Sequence, residues 1–316
     1  QIVKSQPHDN IVISPHGIAS VLGMLQLGAD GKTKKQLTTA MRYSVNGVGK
    51  VLKKIKAIIK KNKDIVTVAN AVFVKNGFKM EMPFVARNKD VFRCEVRNVN
   101  FGDPASACDS VNTWVKNETR GMIDSLLSPD LIDGMLTRLV LVNAVYFKGL
   151  WKSRFQPENT KKRTFVAGDG KSYQVPMLAQ LSVFRCGSTS TPNDLWYNFI
   201  ELPYHGESIS MLIALPTESS TPLSAIIPHI STKTIDSWMG MMVPKRVQVI
   251  LPKFTAVAQT DLKEPLKALG ITEMFDPSKA NFAKITTGSE NLHVSHILQK
   301  AKIEVSEDGT KASGTT

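Results

Sequence analysis

No part of the chain limits its possible folds as strongly as residues 138–151, Arg-Leu-Val-Leu-Val-Asn-Ala-Val-Tyr-Phe-Lys-Gly-Leu-Trp. Its apolar residues run on without the alternation that a strand with one wet face would show. The segment therefore reads as a strand buried on both faces, inside a sheet covered above and below. The run from Leu139 to Phe147 is interrupted by Asn143 and falls well short of the ~18 residues of a membrane span, and no other apolar run approaches that length.

Elsewhere the pattern mixes helix and strand. Asn10-Ile-Val-Ile-Ser14-Pro15 reads as a short strand entering a helix, with Ser14 as cap and Pro15 at the first helical position. Residues 17–28 keep the helical rhythm to Gly28–Gly31, and a second helix is expected from about Val48 to Lys61. Val66–Val74 is rich in β-formers, and Arg246–Ala256 and Lys300–Ser306 alternate with period two. Helices gather in the first third and strands in the rest, which gives an α+β class with large mixed sheets. The 316 residues would allow two domains by length, but no linker, repeat or low-complexity tract divides them, so a single domain over 1–316 is expected.

Enzymatic chemistry finds no foothold. The chain has no Gly-x-Ser-x-Gly, no His-Glu-x-x-His and no Cys/His nucleophile signature. Gly31-Lys32-Thr33 imitates the end of a phosphate-binding loop but follows a helix and has Gln26 where a glycine is required. His293 and His296 have no third ligand nearby, so no metal is expected. Cys94, Cys108 and Cys186 are too few for a disulfide framework and fit either a cytosolic protein or a secreted one held by its core. The chain opens at Gln1 without a basic-then-apolar leader, so any secretory signal has been removed. Asn117-Glu118-Thr119 is a glycosylation acceptor pattern, weak by itself.

Charge is more informative. Of the net +13, the seven lysines Lys50, Lys53, Lys54, Lys56, Lys60, Lys61 and Lys63 supply +7, leaving +6 for all the rest. On a helical wheel with Lys50 at zero they fall between roughly 220° and 40°, while Val51, Leu52, Ile55, Ile58 and Ile59 fall between roughly 80° and 200°. An ordinary solvated face mixes signs, because like charges at i, i+3 and i+4 repel. One face is thus expected to pack on the core and the other to meet a polyanion. Interleaved aromatics and nucleic-acid motifs are missing, which favours a sulfated polysaccharide over nucleic acid.

The last residues, Glu307-Asp308-Gly309-Thr310-Lys311-Ala312-Ser313-Gly314-Thr315-Thr316, are mostly small. As a strand they would turn Thr310, Ala312, Gly314 and Thr316 to one side and Lys311, Ser313 and Thr315 to the other, fit to slide into a packed sheet. Composition alone favours a flexible small-residue linker. Glu307-x-Gly309-Thr310 resembles the hinge of the serpins, where a reactive loop leaves the central sheet. Asn10–Pro15 is similar to that family's opening signature, Asn143–Phe155 to the third strand of its central sheet, and Leu251-Pro-Lys-Phe254 to the strand whose lysine pairs with the hinge glutamate. Gly17 and Gln299 depart from it, standing where a serine and a histidine are usual.

The resemblance implies the serpin fold, with the chain beginning within the first helix and ending inside the reactive loop. It implies a hinge at Glu307, Gly309, Thr310, Ala312 and Gly314, and a Lys253–Glu307 ion pair near Trp151 where insertion starts. Ser14, Asn143 and Gln299 would sit where strands part. The implied activity is suicide inhibition of serine proteases, with no cofactor and no catalysis by the chain itself. Its lysine-rich helix and residues 151–164 resemble a branch of the family that implies thrombin, urokinase, plasmin and trypsin as partners, heparin or heparan sulfate as activating ligand, and a secreted, glycosylated, extracellular monomer. A non-inhibitory carrier and a basic polysaccharide-binding module are the competing readings; small residues at Thr310, Ala312 and Gly314 favour the inhibitor.

Overall fold

A computed structural model describes residues 10–147, 149–288 and 291–309. In chain order the elements are α1 (Pro15–Gly28), α2 (Gly31–Met41), α3 (Gly49–Lys61), β1 (Val66–Lys75), α4 (Met82–Phe92), β2 (Glu95–Val99), α5 (Pro104–Glu118) and β3 (Leu139–Phe147). There follow β4 (Lys161–Val166), β5 (Ser172–Ser190), β6 (Trp196–Pro203), β7 (Ser210–Pro216), α6 (Leu223–Ile226), α7 (Thr232–Met241), β8 (Val243–Pro252), β9 (Phe254–Asp261), α8 (Lys263–Lys267) and β10 (Val294–Val305). They fall into two compact units, one of residues 10–147 and 256–303, the other of residues 149–255 and 304–309.

The first unit holds a five-stranded sheet in the order β2-β1-β3-β10-β9. β3 lies at its middle, antiparallel to β1 and parallel to β10. Burial on both faces follows from its side-chain alternation. Leu139 and Leu141 join Val72, Val74 and Ile297 and the α1 residues Val21, Met24 and Leu25 in one core. Val140, Val142 and Ala144 join Ala71, Phe73 and Leu298 and the α5 residues Val111, Trp114 and Val115 in the other. Each such aliphatic side chain contributes about 1.5–3 kcal/mol. Helix α1 begins as expected, with the Ser14 hydroxyl accepting from the Gly17 N–H and Pro15 at the first position.

In the second unit β5 serves three partners in turn along its length. Its first residues pair with β4, Met177–Cys186 with β8, and Arg185–Ser190 with β6, which pairs with β7. A small core of Tyr197, Phe199, Ile226, Trp238 and Met242 closes the far end, where Phe199 stacks on Trp238 at 5.1 Å.

Three strand expectations need correction. Residues 10–13, read as a short strand, enter α1 as irregular chain and join no strand among the described residues. The alternation from Arg246 to Ala256 is not one strand: β8 ends at Pro252 and β9 begins at Phe254. Lys253 sits between them, its N–H donating to Pro176 O at 2.9 Å. β10 starts at Val294, well before Lys300, because its first half is buried on both faces and shows no alternation.

Candidate functional site

Three features come from the residues singled out by sequence. The first is a row of amides across the central sheet. Asn70 on β1, Asn143 on β3 and Gln299 on β10 stand opposite one another in register. The Asn143 Nδ2 donates to Asn70 Oδ1 at 2.8 Å, and Gln299 Nε2 donates to Asn143 Oδ1 at 2.8 Å and to Ser14 O at 3.1 Å. The Ser14 N–H returns a bond to Gln299 Oε1 at 2.9 Å. Asn143 and Gln299 are 0% and 1% exposed, so each bond replaces one that water can no longer supply. Gly17 and Gln299, the two departures from the family pattern, fit together here. A Cβ on Gly17 would lie 2.0 Å from Asn143 Oδ1, and the long Gln299 amide reaches both Ser14 and Asn143. Sequence reasoning missed Asn70, although an asparagine inside the apolar run Val66–Val74 mirrors Asn143 inside its own run.

The second feature is the turn after β10. Ser306 and Gly309 exchange backbone bonds of 2.7 and 3.1 Å, closing a tight turn that presents Glu307. Gly309 has φ +127°, and a Cβ there would lie 1.9 Å from Gly149 O, so both backbone and space demand glycine. The turn is held by Trp151, whose Nε1 donates to Ser306 O at 3.0 Å and whose N–H donates to Asp308 O at 2.9 Å. Trp151 is itself stacked on Tyr204, centroids 4.5 Å apart. Lys253 Nζ lies 2.9 Å from Glu307 Oε2, and Thr160 Oγ1 donates to Oε1 at 3.0 Å. Burial pushes the Glu307 carboxyl up, but the bonds from Lys253, its own backbone and Thr160, with the lysine charge, outweigh it and hold it below the ordinary carboxylate value. The expected grouping of Trp151, Lys253 and Glu307 is present, with Thr160 and Tyr204 as members that no motif announced. Thr310, Ala312 and Gly314 lie outside the described residues.

The third feature is α3, which is rolled relative to the expectation. Leu52, Ile55 and Ile59 are half-buried, but Val51 and Ile58 are 55% and 42% exposed and no residue of the helix is fully buried. Lys56, on the opposite flank, is half-buried: its Nζ bonds Asp90 O and lies 3.7 Å from Asp90 Oδ1. The stripe is therefore not free of acid throughout. Lys63 falls beyond the last turn. Among the described residues Lys50, Lys53, Lys54, Lys60, Lys61 and Lys63 are exposed and make no ion pair. The helix has no side-chain N-cap and no acid in its first turn, so Lys50 and Lys53 face the positive end of the helix dipole. An anion there relieves both repulsions.

Asn117 is exposed on the last turn of α5. Thr119 is 0% exposed, donating to Val115 O at 2.8 Å and accepting from the Ile123 N–H at 3.1 Å. His296 Nδ1 meets Asp261 Oδ2 at 2.9 Å, and among the described residues no cluster of three or more metal-ligating side chains occurs. No helix among them is long and apolar enough to cross a membrane.

A family model described as "Serpin (serine protease inhibitor)" matches residues 1–316. Glia-derived nexin of Homo sapiens is 90% identical over all of this chain and 80% of its own length. Plasminogen activator inhibitor 1 of Bos taurus is 41% identical over all of this chain and 79% of its own. The crystal structure of native protease nexin-1 with heparin superposes with a TM-score of 0.96 at 89% identity, covering all of this chain and 86% of that one.

Proposed function

This chain belongs to the serpin family of serine protease inhibitors, and from that premise we propose that it traps trypsin-like proteases by inserting its own reactive loop into the central sheet, accelerated by heparin or heparan sulfate on α3. Loop insertion is the device the family is known for. What supports it in this chain is the parallel neighbour pair β3 and β10, with the Glu307 turn directly after β10. A segment leaving that turn and running back between the two strands is antiparallel to both. One parallel ladder becomes two antiparallel ones, the better-bonded kind. A gain of roughly ten hydrogen bonds at about 1 kcal/mol each is of order 10 kcal/mol.

The protease serine attacks the scissile carbonyl of the loop, the amine leaves, and an ester joins enzyme to inhibitor. Insertion then carries the protease away and distorts its site before water can cleave the ester. The amide row Asn70–Asn143–Gln299 lies where β3 and β10 part, and the Lys253–Glu307 pair sits where insertion begins. On the resemblance of residues 151–164 and the lysine-rich helix, the reading takes thrombin, urokinase, plasmin and trypsin as targets, a secreted pericellular location and a carbohydrate on Asn117. We read the two compact units as parts of one serpin domain, in keeping with the family match over 1–316.

Heparin binding is assigned to the outward lysines Lys50, Lys53, Lys54 and Lys61, supported by their exposure and by the nexin–heparin crystal structure. Replacing these four with Glu should weaken heparin at low salt and reduce the slope of log affinity against log salt by about three. Unchanged affinity and slope would remove the assignment.

A further inference from the structure

A groove with room for about 1130 Å³ opens between α3, α4, α5 and the β1–β2 edge of the sheet. It shares Asn70 with the amide row and is not the outward lysine face. Six cations line it: Lys56, Lys60 and Lys63 from α3 and the turn after it, Lys89 and Arg93 from α4 and its cap, and Arg120 beyond α5. Glu95 and Glu118 are the carboxylates on its wall. Glu95 is already engaged, accepting from Trp114 Nε1 at 2.6 Å and from Arg97. Lys56 is tied to Asp90, which leaves five cations against Glu118.

The groove floor is an open strand edge. β1 pairs with β3 from Val66 onward, but its pairing with β2 begins only at Ala71, opposite Glu95. From Thr67 to Asn70 the second edge of β1 has no strand beside it among the described residues, and these residues line the groove. Such an edge bonds an extended polypeptide and offers nothing specific to a polysaccharide. Side chains on β1 alternate: Val68 and Asn70 point to the α3–α4 side with Val72, and Ala69 to the α5 side with Ala71 and Phe73. A strand added here would alternate likewise, turning every second residue toward Lys60, Lys63, Lys89 and Arg93.

We propose that this groove is a docking site for an acidic peptide, bound as an added strand along Thr67–Asn70 with carboxylates at alternate positions facing the α3–α4 wall. The basic residues of this region thereby divide into two surfaces, the outward lysines for sulfated polysaccharide and the groove cations for acidic polypeptide.

The test uses protein made without carbohydrate, because Asn117 lies on the groove wall. A capped, fluorescein-labelled peptide of alternating Glu and Thr is titrated by anisotropy, beside the same peptide N-methylated at every backbone amide, which has equal charge and no N–H to donate to a ladder. Lys60→Glu/Lys63→Glu/Lys89→Glu should weaken the Glu-Thr peptide about tenfold or more, while Lys50→Glu/Lys53→Glu/Lys54→Glu should change it about twofold at most. The N-methylated peptide should bind about tenfold more weakly than the unmethylated one. Equal binding of the two peptides, equal loss in the two variants, or no binding of Glu-Thr to the unaltered protein would overturn the proposal. Unfolding midpoints of both variants, required to match the parent, keep misfolding from imitating a result.

Discussion

Gly17→Ala should be among the most damaging single methyl additions in this protein, and Asn143→Ala should reverse its sign. In an ordinary helix interior the change is favourable by about 1 kcal/mol. Here the new Cβ would meet Asn143 Oδ1 at 2.0 Å and Cγ at 2.6 Å. The Asn143 side chain cannot swing away freely, because Oδ1 accepts from Gln299 and Nδ2 donates to Asn70. Moving it leaves Asn70 Oδ1 and one Gln299 N–H without partners in a dry interior, at about 1–3 kcal/mol each. The expected loss is therefore about 2–5 kcal/mol, or a fall of order 10 °C in the unfolding midpoint. Asn143→Ala alone should cost a similar amount by orphaning the same two groups. With Asn143 already truncated the clash is gone, and adding Gly17→Ala should be neutral or stabilising by up to about 1 kcal/mol. The assay is urea unfolding followed by tryptophan fluorescence for the four members of the cycle. Gly17→Ala proving neutral in the parent, or equally costly with and without Asn143, would refute the amide row as described.

The Glu307 carboxyl, lowered in the folded state, contributes stability that is whole above the ordinary carboxylate value of about pH 4.3 and is lost as pH falls through its lowered folded value. Lys253→Met should cost about 1–2 kcal/mol at pH 7 and flatten that acid limb; an unchanged limb in a pH series of unfolding curves would remove the pair from the account. Thr310→Arg should turn the inhibitor into a substrate, because a barrier raised by ~3 kcal/mol by a buried charge slows insertion more than a hundredfold, whereas Lys311→Glu on the opposite side should change little. The ratio of trapped complex to cleaved, released inhibitor reads both, and a one-to-one trap by Thr310→Arg would show the insertion register to be wrong.

The segment 138–151 announced its own place because burial on both faces leaves a local signature, and β3 is where that signature put it. Lys253 and Glu307 were found by resemblance, being 54 residues apart with nothing local to join them. The amide row was only half legible. Asn143 and Gln299 were singled out, but their bond depends on the β3–β10 register, which is set by non-local pairing rather than by either strand's own pattern. The roll of α3 was hidden for a related reason. A wheel gives the angles between Val51, Ile58 and Lys56, but Asp90 on α4 decides which flank turns inward. The break at Lys253 also left no trace in the alternation, since β8 and β9 alternate on either side of it while belonging to different sheets.

The most direct test of the central claim is to incubate the protein, carrying its complete reactive loop, with thrombin and run the mixture on a denaturing gel, with and without heparin. The account predicts a covalent, denaturant-resistant band at close to one inhibitor per protease. That band should form faster with heparin up to an optimum and more slowly beyond it, as excess chains separate the two partners. A loop that is cut and released with no shifted band at any heparin concentration would contradict the account and leave a serpin that carries without trapping.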